Sequence, residues 1–469
     1  MSEEPWRWDA DRLARAIRLG SISSREAVSA SLRRLDAVNG AVNAVTVILA
    51  EQALAAADEA DRKTKCGEVL GPLHGVPVTI KENVDQAGAP TTHGVVAFQD
   101  LIAETDSPPV ANWKRAGAIV IGRTNTPAFG LRWHTDNELR GPTINPWDRT
   151  RTPGGSSGGA AAAVALGITA LAHGNDYGGS IRYPAYCCGL AGIRPTLGRV
   201  PSFNATAPEE PPLSLQIFSV QGPLARRVRD VRLGLAAMAT GDMRDPWWVP
   251  TPLGGPEPSR PIRVALTVNP AGLGVDPTVA AAVRRAGTAL EQAGYAVEEV
   301  DPPAVDATAE LMWRIVMTEI RHVTEPTIRK FGDAQMNRAL DVYLAATPDV
   351  DLPGYIKDLA QRRKHLREWL QFLERYPLVV GPVSTEPPLP VGFDTDASAD
   401  GERLRCIQRL LITVNLLGLP AAAVPTGLSN GIPLGVQIIA SRYREDLCLD
   451  AAEAIEAQCR LDTPIDLRW

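Results

Sequence analysis

Two short glycine-rich segments, both containing serine, lie close together and constrain the fold more than any other feature of the chain. Residues 153–159 read Pro-Gly-Gly-Ser-Ser-Gly-Gly, and residues 176–182 read Asp-Tyr-Gly-Gly-Ser-Ile-Arg. Glycine lets the backbone approach a ligand closely, and successive N–H groups in such a turn can bind an anion. A serine at the end of the turn therefore combines a nucleophile with an oxyanion hole. One such segment alone is more simply explained as a tight turn between helix and sheet, but for two so close together this explanation is less favoured.

A serine nucleophile needs a base, and none of the six histidines is well placed for that role. His74 and His173 lie near the motifs, and the others are scattered along the chain. Lys81 ends the apolar run 76–80, where burial would lower its pKa by disfavouring the charged form. A lysine at the end of a strand can equally face solvent. The residue pattern by itself leaves both interpretations of Lys81 open.

Two other motif interpretations are disfavoured. Residues 154–158 formally match the G-x-S-x-G nucleophile elbow, which requires a strand before the serine and a helix after it. A helix is predicted after this segment, but residues 142–153 are rich in Pro, Arg and Asp and do not predict a strand. The glycine-rich segments also lack the Gly-Lys-Ser/Thr ending of a phosphate-binding loop.

The composition narrows the class of protein. The chain has 469 residues, of which 45% are hydrophobic and 22% charged, and a formal net charge of −6. No run of one charge indicates nucleic-acid binding, and no segment predicts a membrane span. The first residues lack a signal-peptide pattern, so we expect a cytoplasmic protein. The cysteines show neither disulfide-framework nor zinc-site spacing: Cys66, Cys187, Cys188, Cys406, Cys448 and Cys459.

Helix and strand patterns alternate along the chain and predict an α/β sheet covered by helices on both faces. Strands are predicted at 76–84, 118–122, 168–172, 262–268, 296–300, 378–381, 421–425 and 434–440. Helices are predicted at 9–19, 24–35, 47–62, 108–116, 160–166, 277–293, 307–344, 353–373 and 445–458. Ser23 or Ser24 with Glu26 can cap the second helix. The Pro- and Trp-rich segment 245–261 is typical of a long surface loop rather than of a domain linker.

The glycine and serine segments belong to a longer series of motifs that resembles the amidase signature family over nearly the full chain. Residues 71–83 read Gly-Pro-Leu-His-Gly-Val-Pro-Val-Thr-Ile-Lys-Glu-Asn, and residues 174–184 read Gly-Asn-Asp-Tyr-Gly-Gly-Ser-Ile-Arg-Tyr-Pro. The other matching segments are 153–159, 189–195, 221–226, 415–420 and 431–437. A chance match of these motifs in this order is very improbable.

The resemblance implies a single α/β domain, residues 1–469, around a large, mostly parallel mixed central sheet. Within it we expect N-terminal helices over 1–65, a catalytic core over 66–245 and a variable helical pocket segment over 300–375. The pocket of this fold is built partly by variable segments, here 202–218 and 307–373. Trp313, Val316 and Met317 are candidates for an apolar acyl or aryl site, although the helix core explains them as well.

The resemblance further implies a Ser–cis-Ser–Lys triad. By motif position the nucleophile is Ser180, the bridging cis serine is Ser156 and the base is Lys81. Neutral Lys81 would take a proton through Ser156 while Ser180 attacks the carbonyl, and water would hydrolyse the acyl-enzyme. The family implies no metal or organic cofactor. The expected substrate is a small amide, and carbamates and esters remain open because the same acyl chemistry serves them.

The remaining site residues follow from the same motifs. The oxyanion hole would consist of the backbone N–H groups of Tyr177, Gly178, Gly179 and Ser180. Supporting hydrogen bonds are implied for Ser157, Asp176 and Arg182, the last two as structural braces. The chain departs from the commoner family residues at Ala160, Asn175 and Tyr177, and none of these changes removes a triad group.

Two other functions remain open. One is the glutamine-hydrolysing chain of a tRNA amidotransferase, whose relatives carry an acidic residue shortly before the segment at 415. Residues 404–414 contain no Asp or Glu and place Gln408 there, although Glu319 or Asp341 could supply a carboxylate from elsewhere. The second is a catalytically silent binding protein, which the presence of all three triad residues disfavours. We expect a monomer or homodimer without a nucleic-acid or membrane partner.

Overall fold

The computed structural model describes residues 4–467 and 469, and the strands among them form one sheet. In chain order they are β1 (Val45–Ile48), β2 (Pro77–Lys81), β3 (Ile119–Thr124), β4 (Leu171–Asp176), β5 (Ala191–Arg194), β6 (Val220–Ala225), β7 (Arg263–Leu266), β8 (Ala296–Glu299), β9 (Leu378–Pro382), β10 (Ala421–Ser429) and β11 (Ile432–Ala440). Across the sheet the order is β1-β3-β2-β4-β6-β5-β10-β11-β9-β7-β8. Because one sheet draws strands from most of the chain, the fold is a single α/β domain.

The sheet is mixed, as predicted, but the prediction that it is mostly parallel is wrong. Among the described strands, six neighbouring pairs are antiparallel and four are parallel. One antiparallel pair has a plain local cause. Strands β10 and β11 are joined at Asn430 and Gly431, whose φ angles are 50° and 79°. Asn-Gly with two positive φ angles is the pair that a tight type I′ hairpin requires.

Helices cover both faces of the sheet, which confirms that part of the prediction. In chain order they are α1 (Ala10–Arg18), α2 (Ser24–Val42), α3 (Ala50–Lys65), α4 (Pro108–Arg115), α5 (Gly158–Ala165), α6 (Arg182–Cys188), α7 (Leu213–Phe218), α8 (Val228–Met238), α9 (Pro277–Gln292), α10 (Val305–Glu319), α11 (Glu325–Phe331), α12 (Ala334–Ala345), α13 (Leu352–Arg375), α14 (Gly401–Ile407), α15 (Arg409–Leu417) and α16 (Glu445–Cys459). Side chains alternate between the two faces of a strand. Accordingly Val264 and Leu266 of β7 pack in the core that contains α9 and α16. Ala265 packs on the opposite face with α13 and α15.

At the N-terminal end, one predicted element is confirmed and another begins three residues later than predicted. The capping box of Ser23 and Glu26 is present, and α2 continues past its predicted end. The helix predicted at 47–62 begins at Ala50, because Val45–Ile48 forms β1 and pairs antiparallel with β3. The β-branched run Val-Thr-Val-Ile suits a strand better than a helix.

The strand predictions depart from the structure in two further places. The strand predicted at 168–172 lies further along the chain, as β4, and β5 and β6 were not predicted. Strands β5 and β6 contain Gly or Pro and are buried throughout, so they show no alternation of polar and apolar residues. The segment 307–344 is mostly helical, as predicted, and consists of α10, a π-helical turn at Ile320–Thr324, α11 and α12. The internal division of the chain into 1–65, 66–245 and 300–375 stays a prediction.

Candidate active site

Lys81 is the last residue of β2 and is completely buried between the neighbouring strands β3 and β4. Its Nζ lies 2.6 Å from Oγ of Ser156 and 2.6 Å from Oδ1 of Asn175. Lys81 and Ser156 come from motifs far apart in sequence, yet their side chains are in direct contact. Of the two interpretations that the sequence left open for Lys81, the solvent-facing one is therefore wrong.

The surroundings of Lys81 favour its neutral form. Burial lowers the pKa of Lys81 well below its ordinary value because the ammonium loses its hydration, while the nearby charge of Asp176 acts in the opposite direction. Both hydrogen-bond partners of its Nζ, a hydroxyl and an amide oxygen, are uncharged. A neutral amine in contact with a serine hydroxyl has the geometry of a general base.

Ser156 lies in a turn whose backbone packs directly on residues 132–134. A Cβ on Gly155 would stand 2.4 Å from the carbonyl oxygen of Arg132, so this position accepts only glycine. The Gly155–Ser156 peptide bond is cis. The turn leads into α5, all of whose residues are buried. Ser157 is also buried, and its Oγ lies 3.5 Å from the carbonyl oxygen of Asn175. The first serine turn therefore packs against the strand that leads to the second.

The second serine turn is organised by Asp176, which ends β4 in a fully buried position. Its carboxylate accepts the backbone N–H groups of Gly179 and Ile181, at 2.9 and 3.2 Å. It also forms an ion pair with Arg182, with Nε 3.0 Å from Oδ2. Burial alone would raise the pKa of Asp176, but Arg182 and Arg194 together lower it below its ordinary value. The carboxylate therefore stays ionised and holds the turn.

Arg182 connects this turn to the C-terminal motifs of the chain. Its Nη2 donates to Oδ1 of Asn415 at 2.6 Å, and its Nη1 donates to Oε1 of Gln437 at 2.8 Å. Nδ2 of Asn415 donates in turn to Oδ1 of Asp176 at 2.8 Å. These contacts give a physical reason for the motifs at 415–420 and 431–437, because a buried guanidinium needs acceptors.

The backbone amides predicted for the oxyanion hole do not share one environment. The N–H of Gly179 already donates to Asp176, and the φ of Gly179 is 95°, which favours glycine. The amides of Tyr177, Gly178 and Ser180 are therefore the stronger candidates for holding an oxyanion.

Side chains from other segments hold this turn from outside. Nε1 of Trp133 donates to the carbonyl oxygen of Gly178 at 2.7 Å. The hydroxyl of Tyr177 lies 2.6 Å from Oγ of Ser214, at the start of α7. Both contacts hold the backbone of the turn in place.

Two adjoining cavities open at the two serines. The larger, about 900 Å³, includes Ser156, and the smaller, about 70 Å³, includes Ser180. Both are lined by Gly130, Leu131, Tyr177, Val316 and Ile320. Most other walls of the smaller cavity are aromatic or apolar: Trp133, Met312, Trp313, Met317, Met336, Leu340, Tyr343 and Ile412.

The aromatic rings of the smaller cavity contact one another. Trp133 and Trp313 stack with ring centroids 5.9 Å apart, and Tyr343 lies edge-on to Trp313 at 5.4 Å. Two of the three residues for which the sequence left a pocket role open, Trp313 and Met317, line this cavity beside Ser180. The third, Val316, lies on both cavities.

Sequence reasoning missed several residues of the site. Asn175 was noted as a departure from the commoner family residue, but its contact with Lys81 was not foreseen. Its Nδ2 also donates to Oδ1 of Asn83 at 3.0 Å. The position of Asn175 directly before Asp176 was the available signal. Arg132 and Tyr343 lie outside the quoted motifs and gave no such signal.

The residues that the sequence offered as partners for the ammonium group of glutamine lie in different surroundings. The carboxylate of Glu319 lies on the larger cavity but accepts hydrogen bonds from Ser214, through both N–H and Oγ, and from the hydroxyl of Tyr355. Asp341 forms an ion pair with Arg329 at 2.7 Å. Gln408 is fully buried and lies on neither cavity.

Two of the histidines lie close to the site, and burial lowers the pKa of both. His93 lines the larger cavity, and burial lowers its pKa to about 4. Burial lowers the pKa of His173 to about 3, and its Nε2 lies 3.0 Å from Oε1 of Gln221. Across residues 4–467 and 469, no three His, Cys, Asp or Glu side chains are grouped so as to hold a metal ion. Over the same residues, no helix is both long and apolar enough to span a membrane.

Comparison with known proteins agrees with this geometry. Residues 26–449 match the Amidase family model, and the chain belongs to this family. It is 50% identical to the indoleacetamide hydrolase of Bradyrhizobium diazoefficiens, over 96% of this chain and 86% of that one. It is 33% identical to a glutamyl-tRNA(Gln) amidotransferase chain of Moorella thermoacetica, over 95% and 96% of the two chains.

A solved structure supports the same assignment. That of 6-aminohexanoate cyclic dimer hydrolase, complexed with substrate, superimposes with a TM-score of 0.84. The identity is 28%, and the match covers 98% of both chains. The protein is thus an amide-hydrolysing enzyme with the single-domain fold of the amidase signature enzymes.

Proposed function

We propose that this amidase hydrolyses the primary amide of an arylacetic acid, of the indole-3-acetamide type, to the acid and ammonia. The observation that carries the proposal is the aromatic wall beside Ser180, where the small cavity adjoins the larger one. Burial of apolar ring surface stabilises a bound substrate by about 25 cal/mol per Å². The relative that is 50% identical is an indoleacetamide hydrolase, which agrees with an aryl acyl group. Trp313, Met317 and Tyr343 come from segment 300–375, which we assign to the pocket wall.

The proposed reaction uses Lys81, Ser156 and Ser180. Neutral Lys81 accepts the proton of Ser156, which accepts that of Ser180 as Ser180 attacks the amide carbonyl. The developing oxyanion is held by the turn amides of Tyr177, Gly178 and Ser180. The relay then returns a proton to the leaving nitrogen, ammonia departs, and water hydrolyses the acyl-enzyme by the same route.

The alternative substrate, glutamine, is disfavoured by charge. Among the described residues, no Asp or Glu lines the cavity that includes Ser180, whereas Arg132 does. Burial of an α-ammonium group without a counter-charge carries a large desolvation penalty. Glu319, on the larger cavity, already accepts hydrogen bonds at both carboxylate oxygens. We therefore propose an enzyme that acts without an amidotransferase partner or nucleic acid, as a monomer or homodimer in the cytoplasm.

The test compares substrates on the purified protein alone. Ammonia release is measured from indole-3-acetamide, phenylacetamide and glutamine, and alcohol release from a matched aryl ester and carbamate. We expect kcat/KM for the arylacetamides to exceed that for glutamine by at least about 100-fold, since a site lacking a partner for a charged group rejects it strongly. Ser180→Ala serves as the control for contaminating hydrolases. Faster glutamine turnover, or activity only with an added partner chain, would establish the amidotransferase function instead.

A further inference from the structure

Three buried polar atoms, on residues that line the small cavity, have no hydrogen-bond partner in the described part of the chain. They are Nη1 of Arg132, Nε1 of Trp313 and the hydroxyl of Tyr343. All three residues are more than nine-tenths buried. Buried polar groups of folded proteins are almost always paired, so a group of three at one cavity needs an explanation.

The orientation of Arg132 is fixed by Asp394, and this leaves one nitrogen free. Nε and Nη2 donate to the two carboxylate oxygens of Asp394, both at 2.9 Å. The two side chains are 2% and 0% exposed. The bidentate contact neutralises the guanidinium and holds it in one plane, so that both N–H bonds of Nη1 remain available.

The other two groups restrict what a ligand must offer. An indole Nε1 can only donate, as can Nη1 of Arg132, whereas a tyrosine hydroxyl can donate or accept. Burial raises the pKa of Tyr343 well above its ordinary value, so its hydroxyl keeps its proton. The ring of Tyr343 lies edge-on to that of Trp133, the residue after Arg132, with the ring centroids 6.4 Å apart. The free groups are thus mainly donors, and a ligand must supply an acceptor.

We propose that Arg132 and Tyr343 form the polar end of the acyl pocket and select arylacetamides whose ring carries a neutral oxygen acceptor, such as a hydroxyl. This inference rests on the proposed arylacetamide function and goes beyond it by naming the ring chemistry and the specificity-determining residues. A ring hydroxyl accepts from Nη1 of Arg132 and exchanges a hydrogen bond with Tyr343. An anionic ring substituent is excluded, because Asp394 has already neutralised the guanidinium.

The experiment compares rings of equal size with and without the oxygen. The substrates are 3- and 4-hydroxyphenylacetamide against the matched methylphenylacetamides, and 5-hydroxyindole-3-acetamide against the 5-methyl compound. For the parent enzyme we expect the better hydroxyl compound of each series to exceed its methyl partner in kcat/KM by about tenfold or more, as for a hydrogen bond to a charged donor. A hydroxyl-to-methyl ratio near one in every series would overturn the proposal.

Variants then assign the preference to the named residues. Tyr343→Phe removes a hydroxyl that has no partner among residues 4–467 and 469, so thermal unfolding should not move to lower temperature, and the hydroxyl-to-methyl ratio should fall severalfold. Arg132→Lys keeps a charge for Asp394 but loses the nitrogen corresponding to Nη1, so the ratio should fall as well. Tyr186→Phe is the matched control: its hydroxyl donates to the carbonyl oxygen of Glu386, off both cavities, and the ratio should persist. An unchanged ratio in Tyr343→Phe would contradict the assignment.

A binding measurement separates failure of this inference from failure of the proposed function. The same amides are titrated calorimetrically into Ser180→Ala, which cannot turn them over. A preference for the hydroxyl compounds in binding supports the polar end of the pocket even if the active enzyme hydrolyses none of these amides. Absence of hydrolysis together with that preference would contradict the proposed substrate class alone. Hydrolysis of both rings with equal binding would overturn the polar end alone.

Discussion

In the turn that carries Ser156 the backbone is held by close packing and by uncharged hydrogen bonds with Thr135, whereas in the turn that carries Ser180 it is held by charge. Gly155 lies so close to the carbonyl oxygen of Arg132 that a Cβ does not fit, and α5 behind it consists of small buried residues. In the second turn, the carboxylate of Asp176 accepts hydrogen bonds from the backbone amides of Gly179 and Ile181 and forms an ion pair with Arg182. Both turns present a serine, but they do so through different forces.

The difference matches the chemistry proposed for the two serines. Ser156 passes protons and needs a fixed distance to Lys81, which packing provides. Ser180 bears the acyl group beside a developing negative charge, and the turn needs amides whose direction cannot relax toward other acceptors. A buried ion pair anchors the turn and so fixes the direction of those amides. It leaves their N–H groups free of an acceptor, apart from that of Gly179.

The largest expected effect is at the second turn. Ser180→Ala removes the proposed nucleophile and should lower kcat by about 10⁴-fold or more while leaving the fold intact. Intact-mass measurement after a fluorophosphonate reagent checks the assignment, because the parent should gain one adduct and the variant none. Ser31→Ala, at a buried serine of α2, is the matched control. Equal labelling of Ser180→Ala and the parent would place the nucleophile elsewhere.

Lys81 supplies the next effect and a pH dependence. Protonated Lys81 cannot accept a proton, so activity should be low at acidic pH, rise as the lysine loses its proton, and then level off. Because burial lowers the pKa of Lys81, this rise should lie well below the ordinary lysine range. Lys81→Met should lower kcat by about 10²- to 10⁴-fold and abolish the rise.

The control for the lysine prediction is Lys114→Met. Lys114 lies on α4, away from both serine turns, and the change removes its ion pair with Asp106. Its rate profile against pH should match that of the parent. Persistence of the rise in Lys81→Met, measured over the same pH range, would assign it to another group.

Stability should distinguish packing from charge directly. Asp176→Asn leaves buried Arg182 and Arg194 without their counter-charge and should lower the free energy of unfolding by about 3–5 kcal/mol. Ser157→Ala, in the first turn, removes only a long contact of 3.5 Å and should lower it by less than about 1 kcal/mol. Urea unfolding of both variants at neutral pH measures the two values. Equal losses would show that charge is not what distinguishes the second turn.

The parts of the site that the sequence predicted lie within continuous motifs. Motif position selected Lys81 and Ser156, and the structure places Nζ and Oγ in contact. The pocket was not predictable in the same way, since Arg132, Tyr343 and Asp394 come from three separate segments that meet only through tertiary packing. Strand direction was misjudged for a similar reason: alternation of helices and strands along the chain does not determine which strands become neighbours. The Asn430-Gly431 hairpin is the exception, because its signal is local.

The smallest expected effect concerns the hydrogen bond from Trp133 to the second turn. Nε1 of Trp133 donates to the carbonyl oxygen of Gly178 at 2.7 Å, and Trp133→Phe removes this bond while keeping an aromatic ring on the cavity. Loss of one such bond, about 1 kcal/mol, should lower kcat by about fivefold because the oxyanion amides lose direction, with a smaller change in KM. Trp113→Phe is the matched control: it removes an equivalent bond from Nε1 to the carbonyl oxygen of Gly234, at 3.0 Å, between α4 and α8. Steady-state kinetics on an arylacetamide should show the kcat loss in Trp133→Phe alone. A loss confined to KM would mean that Trp133 acts through the ring it presents to the substrate and that charge from Asp176 is sufficient to hold the turn.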